Sequence, residues 1–330
     1  MGGNAIKNTP TRRYTATEYH KLEHDVLLQL RTDFPNRRIQ AIKAYRTKES
    51  FGDMDLLFES DDLTIDIRQY ITDTFTAKEI VKNGHVYSFE HFEFQIDLIL
   101  VSGAEFETSA SYFAWNDLGN LCGRLSQSMG LKLGHDGLTY SWKHETYKFD
   151  EIKLLTDWKD ILPVLGLNYQ TWADGFETVE DIFKFTTSSK FFNKDLYLLH
   201  NRNHTSRVRD AKRKTYTDFL EWIQDDSRDL PCHPYQENKN DWLPYLFSVI
   251  PGFEVKYNDT QRRYIQAGLV KEKYNGKLVL ELTGRSNKDL STLMMAIKES
   301  FPDKESFNAW VVASTEDEIK QFIIETNNRI

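Results

Sequence analysis

Regular patterning in the chain begins at Thr15. Thr15 and Glu18 have the spacing of a capping box, and Tyr19, Leu22, Val26 and Leu30 then recur on one helical face until Pro35-Asn36 ends the element. Residues 1–14 carry no such period and read as a tail. Ile39 to Tyr45 reads as a strand, Asp55 to Phe58 as a second, and Ile67 to Phe75 as a helix. Residues 85–101 alternate polar and apolar positions and finish in a continuous apolar run, the pattern of a long hairpin whose second strand is buried. Helix, strand, strand, helix and hairpin predict a small α+β sheet domain over 1–105.

The spacing changes beyond that point. Leu118, Leu121, Leu125 and Met129 are helical and Gly130 closes their helix, while Thr178 to Phe185 is a second short helical stretch. These belong to a region spanning 106–195. A third region, 196–330, holds a basic stretch, a helix through Phe219, Leu220, Trp222 and Ile223, and a proline-rich break at 231–234. It ends with an expected strand, Lys277–Leu282, turning at Thr283-Gly284 into a helix with Leu290, Leu293, Met294, Ile297 and Phe301 on one face. The third region is therefore also expected to be α+β.

Hydrophobic residues at 40% and aromatics at 13% are sufficient for two or three buried cores in 330 residues, which excludes a disordered chain. A formal charge of −8 has the wrong sign for a protein held on nucleic acid by overall charge alone. Cys122 and Cys232 cannot make a disulfide framework and lack zinc-site spacing. No apolar run approaches bilayer length, no secretory stretch opens the chain, and Ile6 stands where a myristoylation pattern needs Ser or Thr. The expectation is a cytoplasmic monomer with no membrane partner.

The chemistry concentrates in residues 48–58, KESFGDMDLLF. Asp53 and Asp55 are two apart on a strand, so both carboxylates face the same way. Gly52 just before them permits close backbone approach. A third carboxylate, Asp97, interrupts the apolar run of the hairpin, where an uncompensated charge is expensive. Taken alone, Gly-Asp-x-Asp suits a turn leading into an edge strand. With Asp97 added, divalent cations are the economical compensation, and hard oxygen ligands suit Mg²⁺. Asp66 lies eleven residues past Asp55 at the start of the expected helix and reads as its cap.

KESFGDMD followed by QIDLIL resembles the palm of the DNA polymerase beta superfamily, most closely the family X polymerases. The resemblance covers roughly 40–190. It implies a nucleotidyltransferase palm and a small thumb, and leaves an additional C-terminal α+β domain unassigned. It also implies that Asp53 and Asp55 bind two Mg²⁺ ions, with Mn²⁺ as the alternative, while Asp97 binds the catalytic ion and takes the proton of an attacking 3′-hydroxyl. Arg46 stands where the family places a triphosphate-binding Arg. The family's Gly-Ser is Ile42-Lys43 here, which offers the Lys43 ammonium in place of a hydroxyl. YFAWNDLGNLCGRL, residues 112–125, is similar to the family's nucleotide-binding segment. On that likeness Tyr112 and Phe113 lie beside the sugar, Asp117 and Asn120 touch the base, and Arg124 faces the nascent pair. Trp115-Asn116 replaces the family's Gly-Ser in that segment, and Gln95 replaces its Arg just before Ile-Asp. The family's amino-terminal lyase and helix-hairpin-helix modules have no counterpart, an architecture that suits a virus or phage acting in host cytoplasm.

Residues 200–217 carry Arg202, Arg207, Arg209, Lys212, Arg213 and Lys214 against the single acid Asp210, a local +5 that leaves −13 elsewhere. This segment suits a phosphate-backbone surface, or an intramolecular partner for the acidic remainder. His200 and His204 have helical metal spacing but no third ligand in register. The reading as a whole is a repair or gap-filling enzyme that adds nucleoside monophosphates from a (deoxy)nucleoside triphosphate to a DNA primer end. The alternatives are an RNA or tRNA 3′-end transferase and a non-catalytic nucleic-acid-binding protein on the same scaffold.

Overall fold

The computed structural model describes residues 5–225 and 227–330. In the first part of the chain the elements are β1 (Tyr14–Thr15), α1 (Ala16–Asp33), β2 (Ile39–Ala41), β3 (Ser50–Phe51), β4 (Asp53–Glu59), α2 (Ile67–Phe75), β5 (Ile80–Asn83), β6 (Val86–His91) and β7 (Phe94–Val101). Thr15 caps α1 with the expected reciprocal bond to Glu18, and Asp66 caps α2 by accepting from the amides of Arg68 and Gln69. The strand expected over Ile39–Tyr45 stops at Ala41.

Strands order as β2-β4-β7-β6-β5 in a mixed sheet. The chain leaves β4, passes through α2 and the β5–β6 hairpin, and returns as β7 parallel to β4, with Asp53 beside Gln95 and Asp55 beside Asp97. Alternation along these strands separates two cores. Met54, Leu56, Phe58, Ile96 and Leu98 pack with Tyr19, Leu22, Val26 and Leu30 of α1 and Ile67 and Ile71 of α2. Leu57, Ile99 and Val101 point the other way and pack with Phe106 and Ala110. Asp53, Asp55 and Asp97 share the parity of that second face, so the carboxylates begin where its apolar cover ends.

The tail expected over 1–14 is corrected over residues 5–14, residues 1–4 lying outside the described part of the chain. Ile6 is buried, Tyr14 pairs with Phe51, and the amides of residues 5–9 bond side chains of the sheet. The anchoring partners lie 70 to 90 residues away in sequence.

The chain continues through α3 (Phe106–Phe113), α4 (Leu118–Ser128), β8 (Leu131–Gly134), β9 (Gly137–His144), β10 (Tyr147–Leu155), α5 (Trp158–Val164), α6 (Tyr169–Asp174), α7 (Val179–Thr187), α8 (His204–Asp210), α9 (Lys214–Ile223) and α10 (Leu243–Val249). Gly119 lets α4 start directly against α3, because a Cβ there would lie 2.2 Å from the Tyr112 carbonyl oxygen. Cys122 is buried and Cys232 exposed, and both are free thiols.

Five further helices complete the chain: α11 (Phe253–Lys273), α12 (Gly276–Thr283), α13 (Asn287–Glu299), α14 (Lys304–Ala313) and α15 (Glu316–Asn327). The expected strand Lys277–Leu282 is thus helical, and among the described residues after 196 there is no strand. Asn275 caps α12 by accepting from the Leu278 amide, and Gly284 ends it in the left-handed region. The backbone divides into two compact units: the described residues up to Ser141 with Glu151–Pro251, and Trp142–Asp150 with Gly252–Ile330. Neither boundary falls at 105 or 195. The second unit has its own core, built on Tyr274, Val279, Leu293, Ile297, Phe307, Val311, Ile319 and Ile323. No described helix is long and apolar enough to cross a membrane.

Candidate metal and nucleotide site

Asp53, Asp55 and Asp97 come together at the start of β4 and β7, each offering a carboxylate oxygen within 4.8 Å of the others. All three are half-buried. Burial, followed by the charges of Asp53 and Asp97, pushes the Asp55 carboxyl well above its ordinary range. Burial also pushes Asp97 up to about 6, against the pull of hydrogen bonds from Ser88 and Gln95 and with Asp53 adding to the rise. The cluster is therefore short of positive charge, and its hard oxygen donors fit a divalent cation such as Mg²⁺.

Lys48 also takes part, although the motif alone assigns it no role. Burial lowers the pKa of its ammonium while Asp53 and Asp55 raise it, and its Nζ lies 4.4 Å from the centre of the Phe51 ring. Its one legible signal is its position inside the acidic motif, five residues before Asp53. A single cation cannot balance three carboxylates, so an additional charge is still needed.

A cavity of about 340 Å³ lies along the segment from β2 to β3, lined by Tyr19, His20, Lys43, Tyr45, Arg46 and Trp115 among others. Lys43 lies 5.8 Å from the centre of the Trp115 ring. Arg46 lines the same cavity while pairing with Glu177 at 2.5 Å and bonding the Asp174 carbonyl, so it ties the segment after β2 to the loop before α7. Gly52 forms the bend that separates Phe51 from Asp53. Trp115 and Asn116 both take positive φ, 63° and 60°, an uncommon pair for non-glycine residues. Trp115 is held there by its amide bond to the Lys43 carbonyl at 2.7 Å and by edge contact with Phe176.

The residues expected to contact a nucleotide form a second, ionic cluster. Asp117 pairs with Arg213. Asn120 Oδ1 accepts from Arg124 and Arg209, each at 3.3 Å. Asp210 is fully buried and pairs with Arg202 at 3.1 Å, Arg209 at 3.2 Å and Arg124 at 3.4 Å. Burial, then the charge of Arg202, brings Arg124 down to about 10 in spite of Asp210. Burial raises the pKa of Tyr112, against the charges of Arg213, Arg209 and Arg124. Phe113 packs against Tyr112 and stacks on His135. Of the basic stretch, then, Arg202 and Arg209 pair with Asp210 of α8, Arg209 also reaches Asn120 of α4, and Arg213 pairs with Asp117 at the start of α4. Lys214 pairs with Asp218, and Arg207, Arg209, Lys212 and Lys214 are all exposed.

No family model matches this chain, and no curated protein is recognisably similar to it. The site accordingly stands on its geometry and on the motifs in the sequence.

The raised carboxyls give a pH prediction. An acid whose folded-state pKa lies above its unfolded value stabilises the fold at low pH and loses that contribution as pH rises through the folded value. Asp97 does so between about pH 4 and about pH 6. Without metal, Asp97→Asn is expected to melt above wild type at pH 7.5, with the difference closing as the buffer is taken down to pH 4. Parallel melting curves across that range, in chelator, check it. A constant difference between the two proteins would show that Asp97 does not titrate in this window.

Proposed function

We propose that this protein is a metal-dependent nucleotidyltransferase that joins a nucleoside monophosphate, taken from a (deoxy)nucleoside triphosphate, to a nucleic-acid 3′-hydroxyl and releases pyrophosphate. The observation that carries the reading is the convergence of Asp53, Asp55 and Asp97 from two parallel neighbouring strands, with ligand atoms within 4.8 Å. Asp53, Asp55 and Asp97 would hold Mg²⁺. Bound there, the metal would supply charge stabilisation for the phosphoryl group and a lowered pKa for the attacking hydroxyl.

The chain's own groups supply the rest. Asp97 is positioned to accept a proton at a carboxylate oxygen. Lys43 and Arg46 line one cavity, where an ammonium and a guanidinium suit a polyphosphate. Burial of the carboxylates limits water at the reacting centre and strengthens each charge interaction made there.

Purified protein with Mg²⁺ and labelled nucleotides should extend one of three substrates on a denaturing gel: gapped DNA, single-stranded DNA or tRNA. Templated extension of the gap is the expected result. Labelling of tRNA alone would move the reading to an RNA 3′-end transferase, and binding of all three without extension would sink the enzymatic reading.

A further inference from the structure

The Gln95 amide reaches two partners whose chemistry decides which way it faces. Oε1 accepts from the backbone amides of Ala5 at 3.0 Å and Ile6 at 3.3 Å, and Nε2 donates to Asp97 Oδ1 at 2.9 Å. A backbone N–H can only donate, so the two amides of the amino-terminal segment require the oxygen on their side and leave the NH₂ group facing Asp97. Turned over, the amide would set a carbonyl oxygen against a carboxylate and leave two amide donors unmatched. Gln95 is itself 2% exposed, so water has little room to substitute.

The segment is fastened at a second point away from the carboxylates. Glu79, at the edge of the sheet just before β5, accepts from the amides of Lys7 at 3.2 Å, Asn8 at 2.7 Å and Thr9 at 2.8 Å, and from Asn8 Nδ2 at 3.0 Å. Ile6, buried between the two fastenings, anchors the strap by its side chain.

We propose that residues 5–9 form a strap that positions Asp97 through Gln95, so that metal affinity depends on a segment that contributes no ligand. The proposal rests on reading the three aspartates as a metal site. Gln95 is a positioning residue: its Nε2 donates to Asp97 Oδ1 and, together with the Ser88 hydrogen bond, holds the carboxylate in one orientation toward the site. Loss of such an outer partner typically lowers metal affinity about 10- to 100-fold.

Mn²⁺ binding to the full-length chain, followed by electron paramagnetic resonance, tests it. Gln95→Ala is expected to weaken binding by about tenfold. Glu79→Ala, remote from the carboxylates, is expected to weaken it in the same direction by loosening the strap. The double variant should bind no more weakly than Gln95→Ala, because both changes act through one contact. Wild-type affinity in Glu79→Ala, or losses that simply add in the double variant, would overturn the strap. Failure of the wild-type chain to bind Mn²⁺ would overturn the metal site and the strap with it. The measurement reads metal occupancy and not transfer, so it is decided independently of which nucleic acid is extended. Should Gln95→Ala fail to fold, Glu79→Ala alone still decides, since it leaves the buried amide in place.

Discussion

Asp55→Asn is expected to abolish nucleotide transfer and at the same time to raise the melting temperature of the metal-free protein. The two effects have one cause. Asp55 neighbours both Asp53 and Asp97, and burial together with those two charges holds its carboxyl far above the ordinary range. In the absence of metal, keeping an acid in that place costs stability at neutral pH, because the unfolded chain ionises it freely in water. Asparagine keeps the shape and removes the charge, so the metal-free fold is relieved. With metal the balance reverses, because a neutral amide is a poorer ligand and the site loses charge that the cation needs. A metal held there would stabilise a transferring phosphoryl group by several kcal/mol, so its loss would lower the rate on the order of a thousandfold. Melting curves in chelator and single-turnover extension in Mg²⁺ read the two halves. A variant that extends at near wild-type rate would remove Asp55 from the metal site. A variant that is inactive and also less stable without metal would make Asp55 a structural residue.

The opposition between stability and activity is also what makes this site legible in the amino-acid sequence. Two aspartates at strand spacing and a third inside an apolar run each break the local rule that buried strands avoid charge, and such breaks mark function more often than fold. The capping box and the hairpin are legible for another reason. Thr15 with Glu18 and the alternation across residues 85–101 are local patterns, settled within a few residues. Lys277–Leu282, helical where a strand is expected, is short and apolar enough that periodicity does not distinguish the two. Its caps do distinguish them: Asn275 before it and Gly284 after it are helix punctuation. The amino-terminal strap and the pairing of the basic stretch with α4 are not legible. Both consist of contacts across some 70 to 96 residues of sequence, and nothing local in residues 5–9 or 200–217 names the partner.

The second large effect is expected at Asp210. Its side chain is fully buried and takes three guanidinium partners, two of which, Arg124 and Arg202, are only 5% exposed. Neutralising the carboxylate by Asp210→Asn leaves these two buried cations facing each other without a counter-charge. Burial and the charge of Arg202 already bring Arg124 down to about 10 with the acid in place. Removing one partner of a buried pair typically costs about 3–5 kcal/mol, so denaturant unfolding should show a loss of that order. The loss should fall on the docking of α8 against α4, which carries Asn120 and Arg124. Because an anion can replace the missing charge, added phosphate should restore part of the stability in Asp210→Asn and much less in wild type. An Asp210→Asn protein as stable as wild type would mean that the arginines find solvent, in which case Arg202, Arg209 and Arg124 stand ready to contact nucleic acid directly. A destabilised variant that phosphate rescues would instead mean that the basic segment serves first to hold α4 in place, leaving Arg207, Arg209, Lys212 and Lys214 as its exposed basic residues.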